Sequence, residues 1–209
     1  MAIAVDATSS ASAITAPLAF NHTVSGADRV LLVGIAGVDS ADVSAITFNG
    51  VSLTKAVEET SGYGENSIWY LLNPDTGTHS ISIARANNSE AMSAAGISFT
   101  GAGGVSGTGI NHAYSATASV ATTTNRTVGY VVSALFWEVA AGIVTYTGGG
   151  TQFATEVVGA HAGLYTYQAF SGGANITETW TKTGGSQPYA ASGLEVYETS
   201  SFVPKVMMF

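Results

Sequence analysis

The chain has no cysteine, four prolines in 209 residues and only six Lys and Arg. The first absence excludes disulfide staples, a thiol nucleophile and thiolate metal ligands. The six basic residues are scattered singly and build no stripe, and with a formal charge of −8 the chain lacks the electrostatic grip that nucleic-acid binding needs. Charged residues of both signs make up 10% of the chain, against about a quarter in ordinary soluble domains. Much of the surface must therefore be Ser, Thr, Asn and Gly, which suits a protein that packs against neighbours, and a homo-oligomer (dimer or trimer) is expected. No segment approaches the roughly 20 apolar residues of a membrane-spanning helix, so no membrane partner is expected. Met1-Ala2-Ile3-Ala4-Val5-Asp6 lacks the basic and apolar regions of a signal peptide, and the expectation is a protein made and folded in a cytoplasm. Asn-x-Ser/Thr sequons at Asn21, Asn87, Asn125 and Asn175 then carry no glycan. Helical periodicity is missing too: no window of a dozen residues repeats every 3.6 positions.

What is present is strand. Short runs of Val, Ile, Thr and aromatics alternate with period two and are punctuated by Gly, Asn, Asp and Pro. The pattern predicts strands at 2–7, 14–24, 29–38, 44–49, 52–58, 66–72, 78–85 and 91–100, then at 109–119, 126–140, 143–147, 152–159, 162–170, 175–182 and 189–198. Asn49-Gly50 is a two-residue hairpin signal, because both turn positions need positive φ. Asn73-Pro74-Asp75-Thr76-Gly77 combines a fixed φ, an Asp acceptor and a permissive Gly. The Gly-rich run 101–109 reads as a flexible crossing loop.

The second half repeats the first. Val30-Leu31-Leu32-Val33-Gly34-Ile35-Ala36 matches Val128-Gly129-Tyr130-Val131-Val132-Ser133-Ala134 (128 − 30 = 98), and Ile46-Thr47-Phe48-Asn49-Gly50 matches Val144-Thr145-Tyr146-Thr147-Gly148 (144 − 46 = 98). Ala94-Ala95-Gly96-Ile97 matches Ala191-Ser192-Gly193-Leu194 (191 − 94 = 97), and Ile68-Trp69-Tyr70-Leu71 lies near Leu164-Tyr165-Thr166-Tyr167 (164 − 68 = 96). The reading is an all-β, two-layer antiparallel β-sandwich of jelly-roll type, built from pseudo-repeated halves at about 1–102 and 108–199. An immunoglobulin-like sandwich comes second and two tandem sandwiches third. The single domain, 1–201, draws its core from Leu31, Val33, Ile35, Ile46, Phe48, Trp69, Leu71, Ile81, Ile83, Ile97 and Phe99. Val131, Leu135, Trp137, Tyr146, Tyr165, Tyr167 and Trp180 supply the other half.

Chemical signatures are few. The paired-carboxylate strand pattern Glu-x-Asp-x-x-Glu of laminarinase-like glycosidases is absent. Glu195 and Glu198, three apart, belong on opposite strand faces. Glu178, beside Trp180, and Glu138 are the carboxylates left for a hydrolase or lyase, the third-ranked reading. His22, His79, His112 and His161 lack metal-site spacing, so no metal or other cofactor is expected. Asp39-Ser40-Ala41-Asp42 reads as a solvated turn before it reads as a calcium loop. Exposed aromatics could stack on a sugar, and Tyr63, Tyr114, Trp180 and Tyr189 are the candidates.

The chain closes on an apolar tail, 202–209, in which Phe202, Val203, Pro204, Val206, Met207, Met208 and Phe209 are candidate contacts to a partner or neighbouring subunit, with Pro204 opposing a long regular strand. The hairpin Ile46-Thr47-Phe48-Asn49-Gly50-Val51-Ser52-Leu53-Thr54 and the corner Trp69-Tyr70-Leu71-Leu72-Asn73-Pro74-Asp75-Thr76-Gly77-Thr78-His79 resemble a β-sandwich module of tailed-phage virion and bacterial surface proteins. Within that resemblance the chain is most like a phage capsid decoration (cement) protein. The resemblance implies a non-enzymatic virion protein, made in the host cytoplasm, that binds the major capsid protein lattice and stabilises the shell. The alternative it implies is a carbohydrate-binding module of a fibre or adhesin.

Overall fold

A computed structural model describes residues 1–14, 17–37, 43–59, 64–85, 91–138 and 144–199. The tail 202–209, Tyr63 and the 39–42 turn lie outside the described residues. The first half supplies β1 (Ala4–Ala13), β2 (Leu18–Val24), β3 (Val30–Gly37), β4 (Val43–Phe48), β5 (Val51–Ser52), β6 (Thr54–Glu59), β7 (Glu65–Leu72), β8 (Gly77–Arg85) and β9 (Met92–Thr100). The second supplies β10 (Ala102–Ser115), β11 (Thr117–Thr122), β12 (Val128–Glu138), β13 (Val144–Tyr146), β14 (Thr151–Val158), β15 (His161–Ser171), β16 (Ile176–Lys182) and β17 (Gln187–Glu198). Among the described residues there is no helix.

The antiparallel all-β sandwich expected from the sequence is what forms, but with more layers than two. The described strands make four sheets around three apolar clusters. In the first half a five-stranded sheet, β1-β9-β3-β7-β6, packs on a four-stranded one, β2-β8-β4-β5. In the second half the order is β10-β17-β12-β15-β14 over β11-β16-β13. The two five-stranded sheets then pack face to face through Leu32, Ile68, Ile97 and Phe99 from one half and Val132, Phe136, Tyr165 and Leu194 from the other.

Strand composition follows from this layering. β3 and β12 sit inside the stack with both faces covered, so Val-Leu-Leu-Val-Gly-Ile-Ala-Gly is buried at every position and Val131 to Trp137 likewise. Such a run is usual for strands with two covered faces. β2, on an outer sheet, alternates buried and open: Leu18, His22 and Val24 face in while Ala19 and Asn21 face water. Each fully buried Leu, Ile or Phe contributes about 2 kcal/mol of transfer free energy.

The two five-stranded sheets meet through contacts in several places: β1 touches β14 and β10 touches β6, β7 touches β17 and β15 touches β9, and β3 meets β12, while the outer sheets differ, with four strands in the first half and three in the second. Register does not follow the sequence matches throughout. Val33 stands opposite Gly96, whereas Gly193 stands opposite Ser133 rather than Val131. A two-residue slide keeps every side chain on its own face, which a one-residue slide would reverse.

Two local expectations fail. The 101–109 run is the start of the fourteen-residue strand β10, paired to β17. Its glycines are steric necessities: a Cβ on Gly107 would overlap the Thr123 carbonyl oxygen, and one on Gly109 that of Ala121. β1 also runs on to Ala13 instead of stopping near residue 7, since its small Ser and Ala side chains pair along β9.

Candidate functional site

A concavity among the described residues is built where the turn between β11 and β12 meets β10 and β17. In the turn joining β11 to β12, the amides of Asn125 and Arg126 donate to the carboxylate of Glu195, at 2.9 Å to Oε2 and 2.9 Å to Oε1 respectively. Glu195 is itself fully buried on β17, so the turn is held from inside. That places the Arg126 guanidinium over the ring of Tyr197, 4.4 Å from its centroid. Tyr197 in turn fits because its neighbours lack side chains: a Cβ on Gly103 would stand 2.9 Å from the ring, and one on Gly104 2.7 Å from its hydroxyl. Arg126, Thr127, Val128, Tyr197, Glu198 and Thr199, with Gly103, enclose about 390 Å³. Glu195 and Glu198 thus have different surroundings, one buried and one at a pocket, as their spacing required.

The sugar-stacking candidates separate. Tyr114 is 63% exposed on β10, near Ile110 on the same strand face. Trp180 and Tyr189 are corrections, because both are core residues. Trp180 packs against Tyr146 with centroids 5.9 Å apart, and Tyr189 packs against Trp137 at 5.8 Å while its hydroxyl accepts from Asn111. Inward positions on β16 and β17 take them there, and neither has a face for a ligand.

Glu178 is also fully buried. Burial pushes its carboxyl above the ordinary range, against the hydrogen bond that Tyr146 donates to it. The same burial and the Glu178 carboxyl push the Tyr146 hydroxyl up. Around Glu178 the second-half core carries Thr122, Ser133 and Thr166, whose hydroxyl oxygens have no hydrogen-bonding partner among the described residues. Sealed between sheets, Glu178 is out of a substrate's reach in this conformation.

A hydrogen-bonded relay in the first half was not legible in the sequence, since its members come from three strands. Ser98 Oγ donates to Asp6 Oδ2 at 3.0 Å, so it accepts from His22 Nε2 at 3.0 Å, and His22 Nδ1 accepts from Ser9 Oγ at 2.7 Å. Burial pushes the imidazole down to about 4, against the pull of Asp6. Burial would raise Asp6, but hydrogen bonds from Ser25 and Ser98 outweigh it and hold the carboxyl below its usual value. Ser9 and His22 are paired as a nucleophile and base would be. With His22 1% exposed, the relay serves to pin β1 to β2 and β9.

The remaining histidines are dispersed. His79 donates to the Thr76 carbonyl, His112 meets Glu59 at 3.1 Å across the junction of the halves, and His161 stacks on Phe136. Among the described residues no three His, Asp or Glu side chains gather to hold a metal. Comparison with family models, curated proteins and solved structures finds no match to this chain.

Proposed function

We propose that this chain is a non-enzymatic virion structural protein, a decoration (cement) protein that binds the outer face of an assembled capsid as a small homo-oligomer and stabilises it. The observation that carries the reading is the convergence of chain-end segments on one end of the body. Thr199, from which residues 200–209 continue, donates its amide to Gly101 O at 3.0 Å. Met1 and Ala2 crowd the same Gly101, so closely that a Cβ there would overlap Ala2. Exposed Met1, together with Leu72 and Val128 at the matching ends of their sheets, adds apolar surface there. A charge-poor body with an apolar end is suited to docking on a protein lattice, where desolvating few charges costs little.

The mechanism is linkage. Copies that bind only the assembled lattice lower its free energy relative to free capsomers, by RT ln(1 + [L]/Kd) for each site. Within this reading the body is a jelly-roll unit doubled in one chain, supported by the matching strand orders of the halves. The test removes 202–209 and measures particle binding and the temperature of shell disassembly. Loss of binding and of protection is expected; a truncated chain that coats and protects particles as well as the full one sinks the proposal.

A further inference from the structure

We infer that the concavity at Arg126 is a binding site for a neutral saccharide; it shares Val128 and Thr199 with the proposed shell-binding end, but the inference does not rest on that reading. Three features of the described residues lead there. The first is an unspent donor fork. Arg29 gives its N–H groups to the carbonyls of Gly26 and Pro74, Lys55 pairs with Glu58, and Lys182 lies against the carbonyls of Thr183 and Gly185. The Arg126 guanidinium, by contrast, meets only the Tyr197 ring. A guanidinium stacked on an aromatic face keeps its N–H edge free for bidentate hydrogen bonding.

The second feature is an acceptor in the same pocket. Glu198 lines it and makes no side-chain hydrogen bond or ion pair among the described residues. A fork that only donates and a carboxylate that only accepts complement a ligand carrying adjacent groups that do both, which is what vicinal hydroxyls are. A phosphate or carboxylate ligand would satisfy Arg126 but be repelled by Glu198, and an ammonium ligand the reverse. A neutral polyol has neither conflict.

The third feature is size and preorganisation. About 390 Å³ lies within the range of small-ligand pockets and has room for one or two hexose rings. Val128, 42% exposed, offers an apolar patch for the C–H face of a ring. Arg126 is also fixed before any ligand arrives: Glu195 holds its amide, and the glycines at 103 and 104 leave room for the ring beneath it. Prepaid ordering of this kind is what gives weak polar ligands measurable affinity.

Saturation-transfer NMR with the full chain and a panel of neutral mono- and disaccharides tests the inference, with inorganic phosphate and an acidic monosaccharide as charged probes. The expected result is transfer to at least one neutral sugar, with affinity lowered roughly tenfold by Arg126→Ala and by Glu198→Gln. Thermal melting of both variants should stay near wild type, which separates lost recognition from lost fold. If Arg126→Ala melts early, Arg126→Lys supplies the comparison, since it keeps the charge and loses the fork. No transfer from any neutral sugar overturns the inference. So does binding confined to phosphate or the acidic sugar, which would make this an anion site. Binding that appears only after removal of residues 200–209 overturns it as well, because the pocket would then belong to the chain's own C-terminal segment.

Discussion

His22 shows how much one buried residue can decide. Its folded-state pKa of about 4 lies below the unfolded value of 6.5, so the unfolded chain takes the proton first as pH falls. The stability it supports is intact above pH 6.5 and is lost progressively from there down to about 4, by on the order of 3 kcal/mol. Asp6, held below its usual value, stays ionised through this window. Glu65 and Glu178 act oppositely. Burial raises both, so their contribution is present below the unfolded carboxyl value and falls as pH rises through the folded one. The difference between wild type and His22→Gln therefore isolates the histidine. Denaturant titrations across pH 4 to 7 should show the wild type losing stability on acidification more steeply than the variant. Parallel curves would remove His22 as the cause.

At the scale of the element, turns were legible and close approaches were not. Asn49 and Gly50 take φ of 49° and 78°, as a two-residue hairpin turn demands, and Asn73 takes 50° at the corner before Pro74. These conformations follow from residues adjacent in sequence. The glycines of β10 follow from something else, the passage of β11 against them, and a Gly-rich run without that knowledge reads as a loop. Gly107→Ala should therefore destabilise by about 3 kcal/mol or more through overlap with Thr123. Gly50→Ala, with nothing within 4 Å and only its positive φ to strain, should cost about 1 kcal/mol. Thermal unfolding of the two variants checks the order; equal losses would mean that β10 and β11 can separate without cost.

For the whole molecule, the decisive contact is between halves. The middle layer joins an apolar cluster to buried polar pairs that cross it, Asn66 bonded to Ser192 and Ser93 to Tyr165. Glu156 clasps Ser10 and Ser12 at one edge and Glu59 meets His112 at another. A chain of residues 1–101 alone would expose the inner face carrying Leu32, Ile68, Ile97 and Phe99. Because the two inner sheets share one strand order, that face should pair with a second copy of itself. Light scattering after size exclusion should then find dimers or larger species, and a stable monomer would contradict this account of the junction.

The sequence by itself determined that the described residues form strands and no helix, where most of those strands lie, and where the tight turns fall. Those properties rest on side-chain period and on φ preferences, which act over a few residues. The tertiary structure alone decided the number of layers, the two-residue slide between halves, the burial of Trp180, Tyr189 and Glu178, and the meeting of Arg126 with Tyr197. Alternation states that a side chain faces one side of its sheet. Whether that side meets solvent, a second sheet or the other half of the chain depends on strands brought together from tens of residues away, as Arg126 meets Tyr197 and Glu195.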